Sequence, residues 1–166
     1  MNLYKTDKIR RGELPPYQYW MRKLQSNRGG YFIALYKILY RITSLMYCND
    51  ISYQAEIGPG LYIGHPYGIT VNGKTKIGKN CNIHKDVTIG QENRGKRKGT
   101  PTIGDSVWIG INSTIVGNIT VGDDVLIAPN TYVNCDIPSH SIVFGNPCII
   151  KSSGNATSDY INNPVF

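Results

Sequence analysis

The sequence predicts an all-β fold, a parallel β-helix, for residues 51–151 of this 166-residue chain. Branched aliphatic residues recur every six positions, and Gly, Asn and Asp, which tolerate the positive φ of tight corners, occur between them. The aliphatic series consists of Ile57, Ile63, Val71, Ile77, Ile83, Ile89, Ile103, Ile109, Ile115, Val121, Ile127 and Val133. This spacing does not fit the 3.6-residue period of an amphipathic helix. It fits short strands, three to a coil, in coils stacked about 4.8 Å apart.

The repeat has two interruptions, and both are candidates for function. A two-residue slip lies beside His65. The interval from Ile89 to Ile103 is 14 residues instead of six, so eight extra residues form an extruded loop within residues 90–102. The loop carries Arg94, Lys96, Arg97 and Lys98. A solvated basic loop and a binding loop are both consistent with this composition, since long loops on rigid scaffolds often carry function.

The two ends of the chain differ from the repeat. Residues 1–50 are expected to be a small helical segment, with helices near residues 17–26 and 31–47. The second helix has a broad apolar face, with Lys37 and Arg41 on its other side. We expect these helices to pack on the β-helix or on a neighbouring subunit, and the alternative is peripheral contact with a membrane. Residues 152–166 are polar and are expected to form a loose tail.

Charge and cysteine content narrow the class of protein. The net charge of +7 favours acidic partners, but no nucleic-acid-binding module is recognisable, so nucleic acid is not an expected partner. The four cysteines form no CxxC pair and are expected to be reduced thiols of a cytoplasmic protein: Cys48, Cys81, Cys135 and Cys148. The sequence has neither a signal-peptide pattern nor an apolar run of about 18 residues.

Three histidines could take part in chemistry. His65 lies beside the slip, where it replaces the usual corner residues, and a histidine there could abstract a proton if a carboxylate orients its ring. His84 follows Ile83, where the repeat prefers glycine, and it either lines a cleft or sits at an exposed corner. His140 is expected at the surface.

Several segments resemble a known family of enzymes. The likeness begins with Asp50-Ile51 and Gly60-Leu61-Tyr62-Ile63-Gly64-His65-Pro66-Tyr67-Gly68-Ile69. It continues through residues 86–90, 100–104, 107–110, 115–119 and 145–147, and covers about 100 residues. These segments resemble the hexapeptide-repeat acyltransferases of the serine O-acetyltransferase type. The resemblance implies a left-handed β-helix, a homotrimer with active sites between neighbouring prisms, and acetyl-CoA lying along the groove.

The resemblance also implies roles for individual residues. His65 matches the catalytic base, and Asp50 matches the aspartate that is hydrogen-bonded to it. Gly90 matches the position where backbone groups face the thioester. Gly110, Ala128 and Pro129 match the turns that line the pantetheine groove.

Departures from the family pattern concern the acceptor site. The family has an Asp-His pair where this chain has Gly64-His65, and Arg-His-Pro where it has Gly99-Thr100-Pro101. A zwitterionic acceptor needs paired charges, so free serine is a poor candidate on this sequence. Residues 88–95 instead look like the sugar O-acetyltransferases encoded with surface-polysaccharide genes.

We therefore predict an O-acetyltransferase that moves acetyl from acetyl-CoA to a hydroxyl of a sugar or polysaccharide precursor. Arg94, Thr100 and His84 are the candidate acceptor-binding residues. One alternative is acetylation of serine or another small molecule. A second is a non-catalytic β-helix scaffold. A zinc hydratase like the γ-carbonic anhydrases needs three histidines, and only His65 and His84 lie within the helix body, so no metal is expected.

Overall fold

The protein is described by a computed structural model that covers residues 2–27 and 29–166. Within these residues, three helices come before all of the strands: α1 (Leu3–Arg11), α2 (Pro16–Ser26) and α3 (Ile33–Met46). The helices α2 and α3 agree with the prediction, whereas α1 was not predicted. Its sequence LYKTDKIRR has little apolar periodicity, and the Asn2 side chain caps its N-terminus by accepting a hydrogen bond from the Lys5 amide.

Fifteen short strands follow in the described part of the chain. They are β1 (Asp50–Ile51), β2 (Glu56–Ile57), β3 (Tyr62–Gly64), β4 (Thr70–Val71), β5 (Lys76–Ile77), β6 (Asn82–His84), β7 (Thr88–Gly90), β8 (Thr102–Ile103), β9 (Val107–Ile109), β10 (Thr114–Val116), β11 (Thr120–Val121), β12 (Val125–Ile127), β13 (Tyr132–Val133), β14 (Ser141–Phe144) and β15 (Ile149–Ser152).

The strands form the three flat sides of a prism. The first side has the order β1-β4-β7-β10-β13, the second β2-β5-β8-β11, and the third β3-β6-β9-β12-β14-β15. All pairs are parallel except β14 with β15. The aliphatic residue of each repeat points inward, as Ile63, Ile89 and Ile109 show by their complete or near-complete burial. The parallel β-helix is therefore confirmed. Its left-handed sense is what the family resemblance implies.

Strand register shows both interruptions of the repeat. Regular coils pair residues 18 apart, as Val107 does with Val125. Across the slip, Ile63 pairs with Ile83, which is 20 residues away. Across the extruded loop, Ile83 pairs with Ile109, which is 26 residues away. The structure thus confirms a two-residue and an eight-residue insertion into an otherwise regular coil.

Side chains of the helices cap the first coil of the prism. The backbone carbonyls at this end of a β-helix have no further coil to accept from, and unpaired buried carbonyls are costly. Seven of these carbonyls accept hydrogen bonds from helix side chains: Ile51 from Tyr40, Ala55 from Gln25, Ile57 and Gly58 from Arg22, Gly60 from Arg10, Leu61 from Gln18, and Ile63 from Arg11. Polar helices are therefore well suited to this end of the prism.

A buried ion pair joins the same helices. Asp7 of α1 and Arg22 of α2 lie 2.7 Å apart, and both side chains are fully buried. Asp7 also accepts a hydrogen bond of 2.9 Å from the Leu61 amide. Asp7 is therefore bonded both to Arg22 and to the first coil. A buried ion pair is tolerated only when such additional hydrogen bonds satisfy its charged groups.

The C-terminal segment is docked, which corrects the expectation of a loose tail. The Asn80 side chain donates to the Val165 carbonyl at 2.9 Å and accepts from the Val165 amide at 2.8 Å. Asp124 accepts hydrogen bonds from Ala156 and Thr157. Burial tends to raise the pKa of Asp124, but the bonds from Thr157, His140 and Ala156 outweigh it and hold this pKa below its usual value. Composition could not reveal this docking, because its partners lie about 30 to 85 residues away.

Candidate active site

His65 occupies the corner between the third and first sides, here called the His65 corner (residues 64–69). In regular coils the corner residue has positive φ: 58° at Asp86, 58° at Asn112 and 59° at Asn130. Gly68, with φ of 71°, takes this position in the first coil, so the inserted residues lie just before it. His65 itself adopts φ of 52°, the left-handed conformation that corner residues of the regular coils also adopt. Its side chain is exposed.

Buried Asn49 holds the backbone of this corner. Its side-chain oxygen accepts from the Ile69 amide at 2.8 Å, and its side-chain nitrogen donates to the Pro66 carbonyl at 3.1 Å. The Gly68 amide donates to the Tyr47 carbonyl at 3.1 Å. The corner is therefore fixed on both sides of the insertion. Sequence reasoning missed Asn49, because a single asparagine before Asp50 carries no distinguishing pattern.

Asp50 begins β1 at the same corner, one coil away. Its amide donates to the Ile69 carbonyl at 2.8 Å, and its side chain is exposed. The two side chains of Asp50 and His65, both in the described part of the chain, make no hydrogen bond with each other in this single-chain structure. Asp50 thus lies on the predicted corner, and its orienting role remains a prediction.

His84 lies directly above Gly64 on the third side. Its ring centre is 6.4 Å from that of His65 and 4.7 Å from that of Trp108. Its Nε2 atom is buried without a hydrogen-bond partner among the described residues. Burial, together with the neighbouring His65, lowers the pKa of His84 to about 4. The imidazole of His84 is therefore neutral at physiological pH.

The structure links His84 to the missing family aspartate. A β-carbon added at Gly64 would lie 2.5 Å from Cε1 and Nδ1 of the His84 ring. An aspartate at position 64 therefore requires His84 to move. In this chain a neutral imidazole fills the space next to His65, where the family resemblance implies a carboxylate.

A pocket of about 380 Å³ adjoins His84 on the third side. Its walls come from α1, the β-helix and the C-terminal segment, and they are lined by Arg10, Arg11, Tyr62, Asn82, His84, Trp108, Tyr160, Asn162 and Asn163. Sequence reasoning identified only His84 among these residues. The residues of α1 and of the C-terminal segment were missed because α1 was not predicted and the C-terminal segment was expected to be loose. Tyr62, Asn82 and Trp108 were missed because they occupy ordinary positions between the inward-facing residues of the repeat.

The remaining predicted residues lie at two different corners. Gly110 and Ala128 follow β9 and β12 and continue the column of Gly64 and His84, while Pro129 lies one position further on, in the column of His65. Gly110 packs closely there, since an added β-carbon would lie 2.6 Å from the Pro129 nitrogen. Gly90 ends β7 and so lies at the corner between the first and second sides, here called the loop corner (residues 90–102).

The extruded loop is a small hairpin at the loop corner. Glu92 and Gly99 form an antiparallel bridge, and the Arg97 side chain lies 3.1 Å from the Glu92 carboxylate. The Thr100 hydroxyl donates to the Lys74 carbonyl at 3.2 Å. Arg94 and Thr100 are therefore separated from His65 by the full width of the first side. A single chain does not bring the predicted base and the predicted loop residues together.

No group of three or more His, Cys, Asp or Glu side chains suited to a metal ion occurs in residues 2–27 and 29–166. The four cysteines are free, and the sulfur atoms of Cys135 and Cys148 lie 3.7 Å apart.

Stacked coils, each built from three six-residue repeats, are the fold of the hexapeptide-repeat transferases. A model of the family "Bacterial transferase hexapeptide (six repeats)" matches residues 100–135. A serine acetyltransferase of Helicobacter pylori is 36% identical over 119 residues, which cover 72% of this chain and 68% of that protein. One of Staphylococcus epidermidis is 38% identical over 146 residues, which cover 86% of this chain and 67% of that protein. The chain belongs to the serine acetyltransferase family.

Solved structures show the same fold. The serine acetyltransferase of Brucella abortus in complex with coenzyme A superposes with a TM-score of 0.72 at 26% identity, over 82% of this chain and 54% of that chain. The serine acetyltransferase of Neisseria gonorrhoeae in complex with serine superposes with a TM-score of 0.67 at 30% identity, over 82% of this chain and 54% of that chain. This chain spans about two thirds of the curated relatives and about half of the solved chains. These matches do not support the expected closer likeness to sugar O-acetyltransferases.

Proposed function

We propose that this chain is an acetyl-CoA-dependent O-acetyltransferase in which His65 is the general base. The observation that carries the proposal is the exposed His65 ring on an inserted, left-handed corner of a β-helix of this family. A relative of the same fold is solved with coenzyme A, which supports acetyl-CoA as the donor.

The reaction needs one proton transfer and no covalent acetyl-enzyme. His65 removes the acceptor hydroxyl proton while the oxygen attacks the thioester carbonyl, and such base catalysis contributes about 10²–10⁴-fold. Backbone N–H groups near Gly90 stabilise the oxyanion, and losing one such donor typically costs about 2.7–4 kcal/mol. The tetrahedral intermediate then expels the CoA sulfur, which takes the proton from the imidazolium. Asp50 keeps the His65 ring in the tautomer that accepts a proton at the reacting nitrogen.

Assembly into a homotrimer supplies the rest of the site. His65 and Gly90 lie at different corners of one prism, so the two meet only if the His65 corner of one copy faces the loop corner of its neighbour. A cyclic trimer repeats this heterologous contact three times and closes the ring. Gly110, Ala128 and Pro129 would then line the groove for the pantetheine arm.

Serine is the acceptor that the comparisons support, since the matched relatives are serine acetyltransferases and one is solved with serine. The comparisons thus favour the serine alternative over the sugar acceptor predicted first. A sugar hydroxyl is the second candidate, and one observation favours it. The neutral His84 ring occupies the space beside the base, and a neutral imidazole cannot pair with the ammonium group of serine as a carboxylate does.

Release of the CoA thiol from acetyl-CoA, measured against serine and a panel of free and nucleotide-linked sugars, tests this proposal. Wild type is expected to turn over, and His65→Ala is expected to lose about 10²–10⁴-fold in kcat. His140→Ala, which alters an exposed histidine at a different corner, is the matched control and should retain activity. Equal turnover of wild type and His65→Ala would overturn the mechanism. Activity on sugars without activity on serine would identify a sugar hydroxyl, and not serine, as the acceptor. Absence of turnover with every acceptor would support a non-catalytic scaffold.

A further inference from the structure

Helix α3 exposes a continuous apolar stripe, defined here as Leu35, Ile38, Ile42 and Leu45. These residues recur at intervals of three and four, so they share one face of the helix. Their side chains are 48%, 57%, 52% and 58% exposed, respectively. Phe32 and Met46 extend the stripe at its ends with 60% and 72% exposure. A stripe of large apolar residues on a helix usually marks a contact surface rather than open solvent.

The opposite face of α3 is the one that packs on the protein. Tyr40 and Ser44 are buried, and the Tyr40 hydroxyl donates to the Ile51 carbonyl of the first coil. The α3 stripe is therefore not part of the core of this chain, and its exposure results from the orientation that these buried contacts impose.

The positive charge of the protein is concentrated in the same segment. Residues 1–49 contain nine Lys and Arg but only two Asp and Glu, a net charge of +7. Arg10, Arg11 and Arg22 are bound to the first coil, so the other basic residues that the structure describes carry the charge that faces outward. Residues 50–166 contain nine of each sign, a net charge of zero. Lys37 and Arg41 are exposed and, at 100° per residue, border one edge of the stripe. Helix α3 contains no acidic residue.

We propose that the α3 stripe docks on an anionic phospholipid surface. The apolar side chains enter the boundary between headgroups and acyl chains, while Lys37 and Arg41 contact lipid phosphates. Among the helices in the described parts of the chain, none is long and apolar enough to cross a membrane. Helix α3 therefore lies flat on the surface.

Charge distinguishes this occupant from a second copy of α3. Packing one α3 stripe against another would bring Lys37 and Arg41 of each copy together without any acidic partner on the helix. An anionic lipid surface offers acyl chains to the apolar stripe and phosphates to Lys37 and Arg41 at the same time.

The docked surface lies next to the candidate base. Tyr47 follows α3 directly, its carbonyl accepts from the Gly68 amide at 3.1 Å, and its ring centre is 5.2 Å from that of Tyr67. Docking through α3 therefore holds the His65 corner close to the lipid headgroups. The docking itself does not depend on the proposed function.

Co-sedimentation of the full chain with vesicles tests the proposal. We expect binding to phosphatidylcholine vesicles that contain phosphatidylglycerol, little binding to phosphatidylcholine alone, and weaker binding at high salt. The double variant Leu35→Ser with Ile42→Ser should weaken binding by at least about tenfold. The variant Lys37→Ser with Arg41→Ser should weaken it by about tenfold or more. Ile149→Ser, which alters another exposed apolar residue, is the matched control and should bind as wild type does.

Three results would overturn the proposal. These are failure of wild type to bind anionic vesicles at low salt, equal binding by the stripe variant, and a smaller assembly of the stripe variant in sedimentation analysis. The last result would show that a second copy covers the stripe. Turnover of the stripe variant with a soluble acceptor should match wild type, so loss of lipid binding can be distinguished from failure of the proposed activity.

Discussion

The two insertions into the repeat differ in how the body of the protein holds them. The two-residue insertion at the His65 corner makes only a tight turn, in which the Tyr67 amide donates to the His65 carbonyl at 2.8 Å, and the backbone around it is fixed by Asn49 and Tyr47. The eight residues at the loop corner fold onto themselves through the bridge between Glu92 and Gly99. A short insertion thus holds one side chain in a fixed position on a rigid backbone. A long insertion makes a separate hairpin that projects from the prism and can reach another molecule.

Mixing two inactive variants tests whether these two corners meet across a subunit boundary, and it has the largest expected effect. His65→Ala removes the base, and replacing residues 92–98 by two glycines removes the hairpin. In the proposed trimer each variant alone should be nearly inactive, the second because removing the hairpin displaces the Gly90 backbone that precedes it. Mixed trimers from co-expression should recover about a quarter of wild-type activity, because a cyclic assembly pairs one intact corner of each kind at that frequency.

Size measurement and circular dichroism of each variant serve as controls for this mixing experiment, since both must still form folded trimers. Absence of recovery in folded mixed trimers would place the His65 corner and the loop corner in separate functions.

Asn49→Ala breaks the support of the His65 corner. It leaves the Ile69 amide and the Pro66 carbonyl without their side-chain partner, at a cost of about 1–3 kcal/mol in the free energy of unfolding. Displacement of His65 should lower kcat by up to about 10²-fold. Urea denaturation and steady-state kinetics measure the two effects.

Asn93→Ala, an exposed change on the other insertion, is the matched control for Asn49→Ala and should shift stability by less than about 0.5 kcal/mol. A change in stability without a change in kcat at Asn49→Ala would mean that the corner does not position the base.

Neutralising the hairpin tests whether it contacts the CoA phosphates. Arg94→Ala, Lys96→Ala and Lys98→Ala together should raise KM for acetyl-CoA by about three- to tenfold at low salt, since an exposed ion pair contributes about 0.2–1 kcal/mol. The effect should fade at high salt. Lys79→Ala with Lys151→Ala, two exposed lysines elsewhere, should leave KM unchanged. An unchanged KM in the triple variant would identify the hairpin as a solvated loop.

His84→Phe should alter the pH dependence of stability. The pKa of His84 is about 4 in the folded protein and about 6.5 in the unfolded chain, so between these values the unfolded chain binds one more proton. Wild type should therefore lose stability as pH falls from about 6.5 to 4. Urea denaturation across this range gives the slope of the unfolding free energy against pH. In His84→Phe this slope should decrease by the equivalent of up to one bound proton. An identical slope would show that folding does not change the pKa of His84.

Sequence reasoning predicted the prism well because each coil has the same inward position to fill with an aliphatic residue. Ile83, Ile109 and Ile127 each fill the same inward position, so periodicity alone determines strand spacing and the sizes of both insertions. The N-terminal helix α1 and the docked C-terminal segment were mispredicted. Their structure depends on single polar contacts to distant residues, such as Asp7 with Leu61 and Asn80 with Val165, and no pattern in the sequence marks such contacts.

The roles of the candidate site residues stay predictions. His65 was identified because it breaks the repeat, and Gly110 because of the family resemblance. The coupling of His84 to Gly64 could not be read from the sequence, since 20 residues separate them and only the coil stacking brings them into contact.

The capping of the first coil has a consequence for assembly. A β-helix with free carbonyls at its end is a template on which another chain can add strands, as in fibril growth. In this protein Arg22, Gln18 and Arg11 occupy those carbonyls, and at the other end β15 runs against the direction of the stack. Both ends therefore resist polymerisation, which leaves the sides of the prism for association. A chain that closes its ends in this way can reach high concentration and still form assemblies of limited size.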